Sequence, residues 1–113
     1  MSLTSDIAMT ESFAGLQRIF QPAGAANVDA VIQFVLTGEG AVEFYATIRH
    51  GAMTLAPGRA PSKVSMRMAA GEFLDMVNGR LSTMDAFSSG KLKVGGNLIY
   101  AMKLATVFRF GAG

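Results

Sequence analysis

The sequence contains no cysteine, which excludes disulfides, thiolate metal sites and cysteine nucleophiles together. It contains one histidine, His50, beside Gly51 and between two alternating segments, where a tight turn accepts a polar residue. No set of Asp, Glu and His has the spacing of a metal site, and Ser88-Ser89 has no histidine to activate it. No apolar run approaches the ~20 residues of a membrane-spanning helix. Charge of one sign is scarce too. Ten Lys and Arg against eight acids leave a net +2, too weak and dispersed for a nucleic-acid surface. Neither a cofactor nor catalysis is expected, because nothing supplies groups of matched pKa in mutual reach. The amino terminus MSLTSDIAMTES lacks a basic segment followed by an apolar one, so no signal peptide is expected and the cytoplasm is the expected compartment.

What is present is apolar. The 113 residues fit one domain able to bury roughly 65% of its unfolded surface. Half of them are hydrophobic, and the mean hydropathy is +0.35. Without a membrane span, that excess belongs in a core or a cavity. Eight methionines sit mostly inside the periodic segments. Their unbranched thioethers serve equally as flexible core filling and as an adaptable binding surface.

The stretch 79–108 organises the chain. Gly79 ends one helix, and Ser82 caps the next with Asp85 three residues on. Gly90 stops that helix, and Lys91–Val94 alternate as a strand, with Leu92 and Val94 inward. Gly95-Gly96 is expected to turn the chain, and Asn97 to cap a final helix. Residues 98–108 are apolar almost all round apart from Lys103 and Thr106, which predicts a deeply packed helix. Gly95-Gly96-Asn97 at a helix start also invites a phosphate cradle, but turn geometry accounts for the pair without a ligand.

Upstream, residues 1–9 read as a flexible leader and 10–110 as a single domain. Thr10 caps an expected helix from Glu11 whose apolar stripe is Phe13, Leu16, Ile19 and Phe20, closed by Pro22. From Val28 the period becomes two. Pairing Leu36 with Val42 sets Phe34 against Phe44 and Ile32 against Ala46, all on one face, so the register is self-consistent. A third strand over Ala52–Ala56 is expected at the sheet edge, and a fourth carries Val64, Met66 and Met68 inward. A helix with Phe73, Met76 and Val77 on one face follows. The fold class is therefore α+β: five strands with one apolar face that the helices cover. Sheet-inward residues are Phe34, Phe44, Ile48, Met66 and Met68; helix-inward residues are Phe73, Met76, Met84, Phe87, Ile99 and Met102.

The segment EFLDMVNGRLSTMDAFSSGKLKVGGNLIYAMKL, in this order of elements, resembles the sterol carrier protein 2 (SCP2) domain family. Phe73, Gly79, Leu81, Ala86, Phe87, Ser89, Gly90, Lys91, Leu92, Val94, Gly96, Met102, Lys103 and Leu104 carry the likeness, which extends over roughly residues 10–108. Asn97 stands where the family often has Asp, and Ala69-Ala70-Gly71 offers no capping side chain. The resemblance implies a five-stranded sheet and helices enclosing an apolar tunnel. Its ligands would be lipids such as sterols, fatty acids, acyl-CoA or phospholipids. The inward residues above, with Leu81, are then the expected lining, and the expected function is non-catalytic lipid binding or transfer. The same module occurs fused to enzymes and in accessory proteins that hold lipid intermediates of quinone biosynthesis.

An alternative reading is an interaction module with a filled core, in which the edge strand at 52–56 and Phe108 and Phe110 form an interface, including that of a homodimer. Lys63, Arg67, Lys91 and Lys93 are expected on the outer sheet face, either solvated or in transient contact with an anionic membrane surface. A mobile gate is expected at residues 71–82, where Gly71 and the uncapped start weaken the helix.

Overall fold

The computed structural model describes residues 3–110. Its elements run α1 (Leu3–Ile19), β1 (Ala30–Thr37), β2 (Val42–Arg49), β3 (Ala52–Pro57), β4 (Val64–Ala69), α2 (Ala70–Val77), α3 (Thr83–Ser88), β5 (Lys93–Gly96) and α4 (Leu98–Val107). This is the expected order. α1 starts earlier than expected, however, taking in most of the presumed leader and placing Thr10 inside the helix. Ala8 explains the extension. It continues the buried stripe of Ser12, Leu16 and Ile19 at helical spacing, so the turn around it has a packed side.

The five strands form one mixed sheet in the order β3-β2-β1-β4-β5. β1 and β2 pair antiparallel in the expected register, Ile32 with Ala46, Phe34 with Phe44 and Leu36 with Val42. His50 and Gly51 turn the chain into β3 with both φ angles positive (52° and 73°), as a two-residue hairpin turn requires. β3 is an edge strand. β4 returns to the other side of β1 and pairs with it in parallel, Phe34 beside Met66.

Gln33 makes that crossover possible. Its side chain is buried on the outer face, where Nε2 donates to the Phe44 and Gly58 carbonyls (3.0 Å each) and Oε1 accepts from the Ala60 amide (3.0 Å). One amide thus fastens the segment between β3 and β4 to the sheet.

β5 sits two residues later than alternation suggests. The Leu92 amide still donates to the Ala86 carbonyl (3.0 Å), so 90–92 belong to the end of α3. Gly95 and Gly96 lie in the ladder opposite Ser65 and Val64 rather than forming a turn. Gly96 has φ +95°, and a Cβ there would collide with the Lys63 carbonyl. Close backbone approach therefore accounts for this glycine.

α1 packs over β2 and β3, α2 over β1 and β4, and α4 at β4 and β5. α1 and α2 meet at Gly15, where an added Cβ would stand 2.6 Å from Val77 Cγ1. The end of the domain is clasped to α1. The Gln21 amide donates to the Val107 carbonyl and the Arg109 amide to that of Ile19 (2.8 Å each), with Phe20 bridging Phe108.

Candidate functional site

Strand alternation sends Phe34, Phe44, Ile48, Met66 and Met68 to the helix-covered face, and α2 adds Phe73 and Met76; each is at most 3% exposed. The rings make a continuous aromatic seam. Phe34 stacks on Phe44 (centroids 4.8 Å), and Phe73 meets Phe34 edge-on at 5.7 Å. Phe13 of α1 closes on Phe44 from the side (5.1 Å), and Phe108 reaches Phe34 at 6.5 Å. Aromatic pairs in these arrangements add about 0.5–1.5 kcal/mol each beyond their buried area. This half of the expected lining is firmly packed.

The other half is not. Leu81 is only partly buried, while Met84, Phe87, Ile99 and Met102 are 72%, 58%, 64% and 77% exposed. Their expected inward placement is therefore corrected. On α3 the buried residue is Ala86, about 200° around the helix from Met84, so Met84 and Phe87 face away from the core. On α4 the packed residues among those described include Tyr100, Ala101 and Val107, and Ile99 and Met102 are left on the outer side. The expectation of a helix buried all round fails for the same reason: α4 is apolar beyond the surface it packs. Its start is as expected, with Asn97 Oδ1 accepting from the Ile99 amide (2.9 Å). Ser82 likewise caps α3, its Oγ accepting from the Asp85 amide (3.2 Å).

Phe108 is 1% exposed, so it belongs to the core and is not a free interface residue. The expected basic face also divides. Arg67 and Lys93 are register partners on the outer sheet face, but Lys91 is drawn to Glu72 of α2 (3.9 Å) and Lys63 to Tyr100 of α4 (3.0 Å). Sequence reasoning missed both attachments, as it missed Gln33 and Ser12. The only signal for Gln33 was a polar residue between Val31 and Val35 on the mixed face.

Charges lie around the rim. Arg59 embraces the Glu43 carboxylate with two bonds of 2.6 Å, and its hydrogen bond holds that carboxyl below the usual range. Buried polar side chains among the described residues are Ser12 and Gln33. No group of three or more His, Cys, Asp or Glu among the described residues is placed to hold a metal, and no described helix is long and apolar enough to cross a membrane.

A mixed five-stranded sheet whose phenylalanine-rich inner face is covered by helices defines an α+β domain. The chain belongs to the SCP-2 sterol transfer family, whose model matches residues 16–109. It is 29% identical over 101 residues to hydroxysteroid dehydrogenase-like protein 2 of Xenopus tropicalis, a match spanning 88% of this chain and 24% of that protein. Sterol carrier protein 2-like 2 of Aedes aegypti has the same fold, with a TM-score of 0.69 at 20% identity over 94% of this chain and 97% of its own. The solution structure of the palmitated form of that mosquito protein aligns with a TM-score of 0.64 at 22% identity, covering 93% and 92%. The family supports lipid binding or transfer in general and its domain is a non-catalytic lipid-binding fold; in the dehydrogenase-like relative it is a small part of the whole.

Proposed function

We propose that this domain binds an apolar lipid of the fatty-acyl class, without chemistry, between the sheet's Phe and Met face and the helices α3 and α4, and passes it on in the cytoplasm. The single observation that carries this reading is the set of four large apolar side chains, Met84, Phe87, Ile99 and Met102, left exposed on the two helices that flank β5 in the sequence. Four large apolar side chains this exposed in so short a stretch point to a use. A bound acyl chain gives them apolar contact and draws α3 and α4 over it. The palmitated mosquito protein, of the same fold, supports the ligand class. The expected lining is Phe34, Phe44, Ile48, Met66, Met68, Phe73, Met76 and Leu81, joined by Met84, Phe87, Ile99 and Met102 once α3 and α4 turn them inward from their outer positions. Of the basic face, Arg67 and Lys93 on the outer side of the sheet are the residues left for transient contact with an anionic membrane surface during delivery.

Native mass spectrometry of delipidated protein titrated with palmitate tests the proposal. A one-to-one complex is expected, and an unloaded protein at every chain length from ten to twenty carbons overturns it.

One observation favours a second reading. The seam of Phe34, Phe44, Phe73 and Phe108 fills the sheet side, as in an accessory module that meets a partner or a second copy through α3 and α4. Light scattering separates the two: a dimer that dissociates on the Met84→Ser and Met102→Ser double change supports the interface.

A further inference from the structure

At the end of the sheet where β1 and β4 begin, on the side away from the phenylalanine seam, lies an open basin of about 520 Å³. Arg49, Ser62, Lys63 and Tyr100 line it, with Asp29 as its one carboxylate. Three separate elements bring these groups together: the end of β2, the crossover into β4 and the first turn of α4. The backbone fixes the arrangement, since the Lys63 amide donates to the Val31 carbonyl (3.1 Å) and the Asn97 amide to that of Lys63 (2.8 Å).

The basin is rich in donors and poor in acceptors. Lys63 Nζ donates to the Tyr100 hydroxyl oxygen at 3.0 Å and stands 4.5 Å from the centre of the same ring. The phenolic hydrogen is then free to donate outward. Lys103 places a second ammonium 5.1 Å from that ring. Arg49 meets Asp29 through Nε alone (3.2 Å), so its two terminal nitrogens are not taken by that carboxylate. Arg49 and Lys63 thus face one acid in the basin, and Lys103 adds a third cation beside the Tyr100 ring. The same imbalance acts on Tyr100: the Lys63 hydrogen bond and charge hold its hydroxyl below the ordinary phenol value, against an opposing push from Asp29.

We propose that this basin is a binding site for a phosphate group. A phosphate dianion offers three acceptor oxygens and two charges, matching a planar guanidinium, an ammonium group and two hydroxyls, with Lys103 close by, better than a single carboxylate does. Tyr100 gives the site a link to the apolar side, because its ring packs against the core while its hydroxyl lines the basin. The phosphate reaches the basin either as the head group of an amphiphile or as a free ion. The site stands on its own geometry and does not rest on the lipid reading.

Amide NMR titration of the whole chain tests it with three probes: inorganic phosphate, lysophosphatidate, and the monoacylglycerol of equal chain length. Phosphate is expected to give saturable shifts at residues 29–31, 62–63 and 100–103. Lys63→Gln and Arg49→Gln are each expected to weaken it at least fivefold, and Lys93→Gln on β5 to leave it unchanged. All three side chains are exposed, so the variants keep the fold, which the remaining resonances report. If lysophosphatidate binds at these residues at least tenfold more tightly than phosphate, and monoacylglycerol leaves them unmoved, the basin holds a head group. If the two phosphates bind equally, it serves a free anion. Shifts scattered over all lysines, or affinities indifferent to Lys63 and Arg49, overturn the site. Failure of palmitate uptake leaves this result intact, so the two proposals fall separately.

Discussion

Phe34 and Phe87 both stand at the inward phase of an apolar pattern, yet one is sealed and the other is 58% exposed. Phe34 lies on the central strand, touching Phe44, Phe73 and Phe108, with neighbouring strands on both sides. Phe87 lies on a helix of six residues whose one buried side chain is Ala86. Hydrophobic phase therefore says which residues share a face, while the number of neighbouring layers decides whether that face is covered. The sheet's inner face carries stability. The outer faces of α3 and α4 carry little and remain open to a ligand or a surface.

The largest effect that sharpens this contrast is expected from Phe34→Ala. Truncating a fully buried phenylalanine should cost about 3–5 kcal/mol in urea unfolding, enough to unfold much of a marginal domain. A cost below 1 kcal/mol would mean the seam is loosely packed. Asn97→Ala should cost about 1 kcal/mol, because the Ile99 amide loses its capping oxygen. Amide exchange should quicken first in α4.

The Ser12 hydroxyl is fully buried with no hydrogen-bond partner among the described residues, so Ser12→Ala should raise stability by about 1 kcal/mol. A loss would show that the hydroxyl is satisfied in solution. Phe87→Ser with Met102→Ser should change stability by less than about 0.5 kcal/mol, as exposed sites do. The same variant should lower palmitate occupancy in native mass spectra. Equal losses in both measurements would erase the distinction between the two regions.

The smallest effect concerns acid. Arg59 lowers the Glu43 pKa, so the pair's contribution is present above the ordinary carboxylate range and fades as pH falls through the lowered value. Carbon-detected titration should find Glu43 ionising at higher pH in Arg59→Ala.

Local chemistry was legible in the sequence. Ser82 and Asn97 cap as their side chains require, Gly79 ends α2 at φ 83° with the Arg80 amide on the Asp75 carbonyl (2.8 Å), and the Phe34–Phe44 register follows from one shared face. What escaped was everything decided by distant partners. Alternation in Val64–Met68 says that the strand has an inside, but not that it runs parallel beside β1. Gln33 looked like one more residue of a mixed face until the crossover lay upon it. The inward placement of the sheet and α2 residues was legible because two layers cover them. Met84, Phe87, Ile99 and Met102 were misplaced because an apolar helix face does not reveal whether a third layer exists.

The fastening of α4 bears on how the domain opens. At its start the Asn97 amide holds the Lys63 carbonyl; at its end Val107 is tied to Gln21 and Arg109 to Ile19 at the end of α1, and the Thr106 hydroxyl reaches Gly24 (3.3 Å). Between these points Ile99 and Met102 touch mostly solvent. Tyr100 and Ala101 pack against the core between these supports. Mechanically this is a beam pinned at both ends and propped near its start, so it resists swinging away as a whole.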